Sequence, residues 1–261
     1  MFNQNEITSM KYITILLIFL SLSLFLEARQ PNFILFITDD ISWDDLGCYG
    51  SKVAKTPHLD QMAKQGMRFN NAYLSISSCS PSRCSLISGR YPHNTGAAEL
   101  HTTLPADQPV FPEALQAAGY YTVLSGKHHM GKAVDRGFNK VFGGKGPGKE
   151  EDWVPILKDR PKDKPFFFWF ASSDAHRSWK INEDAPIYKP EDIEVPPYLY
   201  DGPVTRKDLA DYMHEVSRTD YYTGQLRKEL KKQGIEKDTY IIYMADNGRP
   251  FPRCKTRLYD S

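Results

Sequence analysis

The stretch NFILFIT, Asn32 to Thr38, runs directly into Asp39-Asp40, and that junction decides the fold. An unbroken apolar run of strand length, without polar alternation, belongs in a parallel strand covered on both faces. Phe166 to Ala171 (FFFWFA) has the same character, and Tyr120 to Leu124 and Thr239 to Met244 (TYIIYM) read as further strands. Helical patterns separate them. Thr56-Pro57 opens a helix with proline at its first position, Leu59, Met62 and Ala63 form its buried stripe, and Gly66 stops it. Pro112 to Ala118 reads as a helix ended by Gly119. Thr205 to Gln233 reads as a long one ended by Gly234, with Leu209, Tyr212, Met213, Val216 and Leu226 facing inward. Residues 141–164 are rich in Gly, Lys, Pro and Asp and read as a surface loop. Strands alternating with helices give an α/β domain, a mainly parallel central sheet flanked by helices.

The bulk numbers agree with one large core. The chain has 261 residues, 41% of them hydrophobic, so it does not read as disordered. Lys and Arg number 33 against 32 Asp and Glu; a net charge of +1 gives no basic excess for nucleic acid. Near the start, Lys11 precedes an apolar run from Ile13 to Leu26, then Glu27, Ala28 and Arg29. The run is too short for a comfortable membrane span and reads as a secretory signal over residues 1–28, with Met10 as an alternative start and no stable membrane anchor. The expected location is secreted or periplasmic, lysosomal in a eukaryote. The four cysteines, Cys48, Cys79, Cys84 and Cys254, match neither a zinc pattern nor a dense disulfide framework.

In an open parallel sheet, ligands bind beyond the carboxyl ends of the strands. The polar residues just after the apolar runs are therefore the candidates. They are Asp39 and Asp40; Lys127, His128 and His129; Asp174 and His176; and Asp246 and Asn247. Either acidic pair alone reads as a cap for the element after it. Together, Asp39, Asp40, Asp246 and Asn247 form an oxygen-only set, the donors that calcium or magnesium prefers. Cys79-Ser80-Pro81-Ser82-Arg83 reads as a Ser/Pro turn leading into a short helix. There Cys79 is either buried and inert or, at a helix N-terminus, a thiol of lowered pKa.

The segment C-S-P-S-R followed by Leu86-Ile87-Ser88-Gly89 resembles the sulfatase signature C-x-P-S-R-x-x-L-x-T/S-G. Further landmarks occur in the family's order: ITDD (37–40), TPHLD (56–60), GKHHMG (126–131), SSDAHR (172–177), ADNG (245–248) and KTRLYD (255–260). The resemblance implies an alkaline-phosphatase-like sulfatase fold and conversion of Cys79 to formylglycine by a formylglycine-generating or sulfatase-maturating enzyme. It also implies one calcium ion held by Asp39, Asp40, Asp246 and Asn247. One hydroxyl of the aldehyde hydrate attacks sulfur, and the other then loses its proton and expels sulfate. Arg83, Lys127 and Lys255 are implied to neutralise the sulfate oxygens, while His129 and His176 shuttle protons, His176 to the leaving group. His128 is implied to be a spacer and His58 structural.

The implied substrate is a sulfated sugar or glycosaminoglycan fragment. Ile76–Arg83, Asp174–Arg177 and Asp246–Pro252 resemble the heparan N-sulfatase (sulfamidase) branch. That reading leaves Arg177 open, either a contact to an acidic sugar or an ordinary surface arginine. The family usually continues into a smaller C-terminal domain, so residues 29–261 read as a catalytic domain truncated at its C-terminal end, inactive or poorly soluble alone. Two alternatives stand beside the sulfatase: a phosphonate or phosphate monoester hydrolase of the same superfamily, and an inactive secreted sulfate-binding remnant.

Overall fold

The computed structural model describes Lys11 and residues 30–255. The proposed signal, residues 1–28, and the end of the KTRLYD motif beyond Lys255 lie outside the described residues, Lys11 apart. From Asn32 onward the chain builds a five-stranded sheet in the order β3-β2-β4-β1-β5, every neighbouring pair parallel. The strands are β1 (Asn32–Thr38), β2 (Tyr121–Gly126), β3 (Lys140–Phe142), β4 (Phe166–Ala171) and β5 (Thr239–Ala245). The helices are α1 (Pro57–Gln65), α2 (Cys79–Ser88), α3 (Pro112–Ala117), α4 (Trp153–Asp159) and α5 (Pro203–Lys232). Among the described residues no helix is long and apolar enough to cross a membrane.

The unbroken apolar runs of β1 and β4 are explained by two covered faces, whereas β5, at the sheet edge, leaves Tyr240 and Ile242 exposed. Leu35, Ile37, Leu124, Phe167 and Trp169 pack on one face with Cys84 and Ile87 of α2 and Leu115 of α3. Ile34, Phe36, Val123, Phe166, Phe168 and Phe170 pack on the other with Trp153 and Leu157 of α4 and Tyr222, Leu226 and Leu230 of α5. Each such side chain stabilises the fold by about 1.5–3 kcal/mol relative to exposure, so an alternating polar residue would be costly on either face. A third cluster joins Leu59 of α1 to Leu209, Tyr212, Met213 and Val216 of α5. Asp220 of α5 fixes this contact by accepting from the N–H groups of His58 and Leu59, at 3.3 and 2.7 Å, the unpaired donors of the first turn of α1.

The helix punctuation read from the sequence holds. Pro57 opens α1 and Gly66 ends it, and the five inward positions assigned on α5 are all buried. Residues 141–164 are not one surface loop. They contain the end of β3 and the whole of α4, whose Trp153 is fully buried, stacked on Phe170 with ring centroids 5.1 Å apart and edge-on to Phe36 at 4.6 Å. Gly, Lys and Asp around a seven-residue helix hid its single apolar face, and the sheet supplies the packing that composition does not reveal.

Because all five strands are parallel, their carboxyl ends share one edge. Gly126 closes β2 there at φ +101°, where a Cβ would sit 1.8 Å from the Ala171 carbonyl oxygen of β4. Gly126→Ala is therefore expected to cost about 2–4 kcal/mol of stability, read as a lowered denaturant midpoint. A change under about 0.5 kcal/mol would show that this close approach does not hold the two strand ends together.

Candidate active site

At that edge the segments after β1, β2, β4 and β5 converge on the first turn of α2. Ser78 is extended and Cys79 begins the helix, buried. Its Sγ lies 3.8 Å from Asp40 Oδ1. Arg83, four residues on and so on the same helix face, is fully buried and donates from Nε to Asp246 Oδ2 at 2.7 Å and from an Nη to the Lys127 carbonyl at 3.0 Å. Lys127 Nζ pairs with Asp39, and Lys255 Nζ with Asp40 Oδ2 at 2.7 Å. Asn247 donates to Asp40 Oδ1 at 2.6 Å. Carboxylate oxygens of Asp39, Asp40 and Asp246 lie within 4.8 Å of one another, all three residues buried. Asp40 turns the chain at φ +57°, a conformation that Asp tolerates better than most residues.

Three buried carboxylates thus face three cations. Burial pushes the Asp246 carboxyl up, and the Arg83 charge pulls it back. Burial works against the Lys255 ammonium, but the Asp40 carboxylate outweighs it and the ammonium is held above its usual range. The Cys79 thiol is pushed up to about 12, first by burial and then by the Asp39 and Asp246 carboxylates. The helix N-terminus does not produce a reactive thiolate here, because desolvation and neighbouring negative charge outweigh it. The donor set fits a hard cation. Every donor is oxygen, and Asp39 Oδ1 and Asn247 Oδ1 are buried without a hydrogen-bond partner among the described residues.

The histidines divide into two groups. A ring nitrogen of His176 lies within 4.8 Å of a carboxylate oxygen of Asp39 and of the Cys79 sulfur, and His176 Nδ1 donates to the Arg177 carbonyl at 2.6 Å. His129 Nε2 lies 2.9 Å from His101 Nδ1, and burial, helped by Lys127 and Arg83, pulls His129 down to about 4. His128 instead pairs with Asp135 at 2.8 Å. Arg177 forms a bidentate pair with Asp208 at 2.8 and 2.5 Å, and its guanidinium carbon lies 4.9 Å from the ring centroids of Trp179 and Phe251, so its charge is engaged within the protein.

Two residues at the site carried no sequence signal. His101 follows a loop with no motif. Lys149 sits in the Gly/Lys-rich segment, where burial lowers its ammonium pKa with help from the nearby Lys127 and Arg83. Asp174, a strand-end candidate, takes another role. Arg218 of α5 binds it through two hydrogen bonds of 2.7 and 2.8 Å, and Glu150 and Glu215 lie beside the pair, all buried. This network ties α5 to the end of β4, next to His176. Arg218→Met leaves those acids unpaired and is expected to cost about 3–5 kcal/mol, measured by urea unfolding. A loss below about 1 kcal/mol would show that the network does not anchor the edge.

Known proteins resemble this chain over most of its length. A family model described as Sulfatase matches residues 31–155 and 150–261. The human N-sulphoglucosamine sulphohydrolase is 31% identical over 269 residues, covering 89% of this chain and 53% of that protein. The structure of a 2-O GAG sulfatase superposes with a TM-score of 0.72 at 22% identity, over 89% of this chain and 62% of that one. The phosphonate monoester hydrolase of Agrobacterium radiobacter reaches 0.69 at 18% identity, over 88% and 66%. The fold is therefore the alkaline-phosphatase-like arrangement of these enzymes. The chain spans about half the length of the curated relatives it matches.

Proposed function

The chain belongs to the sulfatase family, and we propose that it carries the catalytic centre of a hydrolase of sulfated sugars, cleaving sulfate esters or sulfamates with Cys79 converted to formylglycine. The observation that carries the reading is the setting of Cys79. It is a buried thiol at the head of α2, its pKa pushed up to about 12, ringed by carboxylates and by Arg83, Lys127 and Lys255. A thiolate nucleophile is strongly disfavoured there, and an uncharged aldehyde hydrate avoids that penalty. The hydrate supplies a hydroxyl nucleophile for attack on sulfur.

Asp39, Asp40, Asp246 and Asn247 would hold a calcium ion, which supplies a fixed double positive charge beside the sulfate oxygens. The protein's own groups do the rest. Arg83, Lys127 and Lys255 offset charge that grows on those oxygens, and a preorganised cation in a dry site acts more strongly than one in water. Arg83, fully buried, also orients residue 79 one turn before it. His176, whose Nδ1–H is held by the Arg177 carbonyl, has Nε2 for protonating the leaving group. His129, held neutral, accepts a proton from the hydrate. Residues 29–261 form this catalytic part, and residues 1–28 direct it into a secretory compartment, where the maturation enzyme meets it.

The likeness to the human N-sulphoglucosamine sulphohydrolase supports an N-sulfated sugar as the substrate. An amine is a poor leaving anion, so such a substrate leans on the His176 proton. His176→Ala is expected to lower kcat about 100-fold or more for N-sulfoglucosamine and less for an activated aryl sulfate. Sulfate release from N-sulfoglucosamine, from O-sulfated sugars and from phosphonate esters, each followed in protein made with a maturation enzyme, checks the assignment. Preference for an O-sulfate removes the sulfamidase reading; preference for phosphonates removes the sulfatase activity itself. Mass spectrometry of the peptide around residue 79 is expected to show the aldehyde, and an unmodified thiol in a maturation-competent host would contradict the mechanism.

A further inference from the structure

His101 and His129 are brought together by two loops fastened to each other. Leu104 N–H donates to the Met130 carbonyl at 2.9 Å, and a Cβ on Gly131 would lie 2.5 Å from Thr103 Cβ, so the backbones run in contact. His101 N–H donates to Ser80 Oγ at 2.8 Å, beside Cys79. Both histidines adopt left-handed backbone, at φ +67° and +56°, an uncommon conformation for residues other than glycine. The result is an imidazole pair with Nδ1 of His101 2.9 Å from Nε2 of His129 and ring centroids 5.0 Å apart. His101 is exposed, His129 is half-buried, and His129 Nδ1 is buried without a partner among the described residues.

We infer that His101 is a positioning residue that fixes the tautomer of His129: His129 Nε2–H donates to His101 Nδ1, which leaves His129 Nδ1 as a bare acceptor at the active site. Only two arrangements of a neutral pair satisfy the contact, and the surroundings choose between them. Lys127 and Arg83 press positive charge on the His129 ring, and Asp246 offsets part of it. With Lys127 and Arg83 as the neighbouring cations, a lone pair in the buried position is favoured, whereas an N–H there would leave a buried donor without a partner. The same arrangement puts the proton of each ring on Nε2, the tautomer that free imidazole side chains prefer in water. An acceptor at Nδ1 is also what a hydrate hydroxyl needs in order to lose its proton, so the catalytic meaning of the pair rests on the sulfatase reading, whereas the tautomer does not.

The test uses the whole protein with 15N-labelled histidine. Long-range proton–nitrogen correlation spectra report which ring nitrogen of His129 carries the proton. Two variants separate the contact from folding: His101→Gly removes the ring at a backbone conformation that glycine adopts freely, and His101→Asn tolerates that conformation while offering a carbonyl acceptor. The expected result is a single Nε2–H tautomer of His129 in the wild type, a mixture in His101→Gly, and recovery in His101→Asn. In turnover, His101→Gly is expected to lower kcat about 10-fold with KM within about twofold, and to shift the acidic limb of the pH profile, where the proton acceptor titrates, with partial recovery in His101→Asn. An Nδ1–H tautomer in the wild type, or identical His129 spectra in the wild type and His101→Gly, overturns the inference. Spectra as expected in a protein that releases no sulfate sustain the pairing and sink the sulfatase activity instead.

Discussion

Three carboxylates cannot be buried side by side unless something balances them, and much of this structure answers that constraint. At an effective dielectric constant near 20, two unit charges 4 Å apart repel by about 4 kcal/mol. A typical domain is stable by only about 5–15 kcal/mol. Asp39, Asp40 and Asp246 unpaired would consume most of that. Arg83, Lys127 and Lys255 each take one carboxylate, and they come from three separate parts of the chain: helix α2, the end of β2 and the segment after β5. The site therefore exists only when the parallel strands are in register and α2 has docked. Its electrostatics and the topology are the same condition seen at two scales.

The chemistry follows from that balance. A site already neutral through direct ion pairs can admit a divalent cation together with a sulfate group, because the cations that pair with carboxylates can turn to the sulfate oxygens. The two buried oxygens without partners, on Asp39 and Asn247, mark where a hard ion gains most. The same carboxylates make residue 79 a poor place for a thiolate. Behind the site, the Arg218 network with Asp174, Glu150 and Glu215 solves the same problem again, and there it holds helix α5 against the end of β4.

Much of this was legible in the sequence because β1 and β4, at the centre of the sheet, are buried on both faces. Unbroken runs such as FFFWFA read as strands without alternation, and the residues after them had to lie at one edge. Pro57 and Gly66 bounded α1 because their backbone preferences are local. The metal-type oxygen set followed from those strand ends, whereas C-S-P-S-R read as a turn before a helix and is itself the first turn of α2. What escaped depends on tertiary contact. Trp153 lies in a segment whose composition is that of a loop, and packing against Phe36 and Phe170 of the sheet makes it core. Asp174 looked like an open strand-end acid, yet its partner Arg218 stands 44 residues away on α5. His101 has no motif, and its relevance arises from two left-handed turns and a shared loop contact.

The claim on which the rest depends is that Asp39, Asp40, Asp246 and Asn247 form a site for a hard divalent cation. Calorimetric titration of calcium into the metal-free protein tests it most directly, with Asn247→Ala as the comparison, since that change leaves every cation paired. The account predicts one calcium ion per chain and stabilisation against heat that grows with calcium, about 2.7 kcal/mol at a hundredfold excess over Kd, with both effects weakened in Asn247→Ala. No calcium binding at millimolar concentrations, or tighter binding of zinc at the same residues, would contradict it.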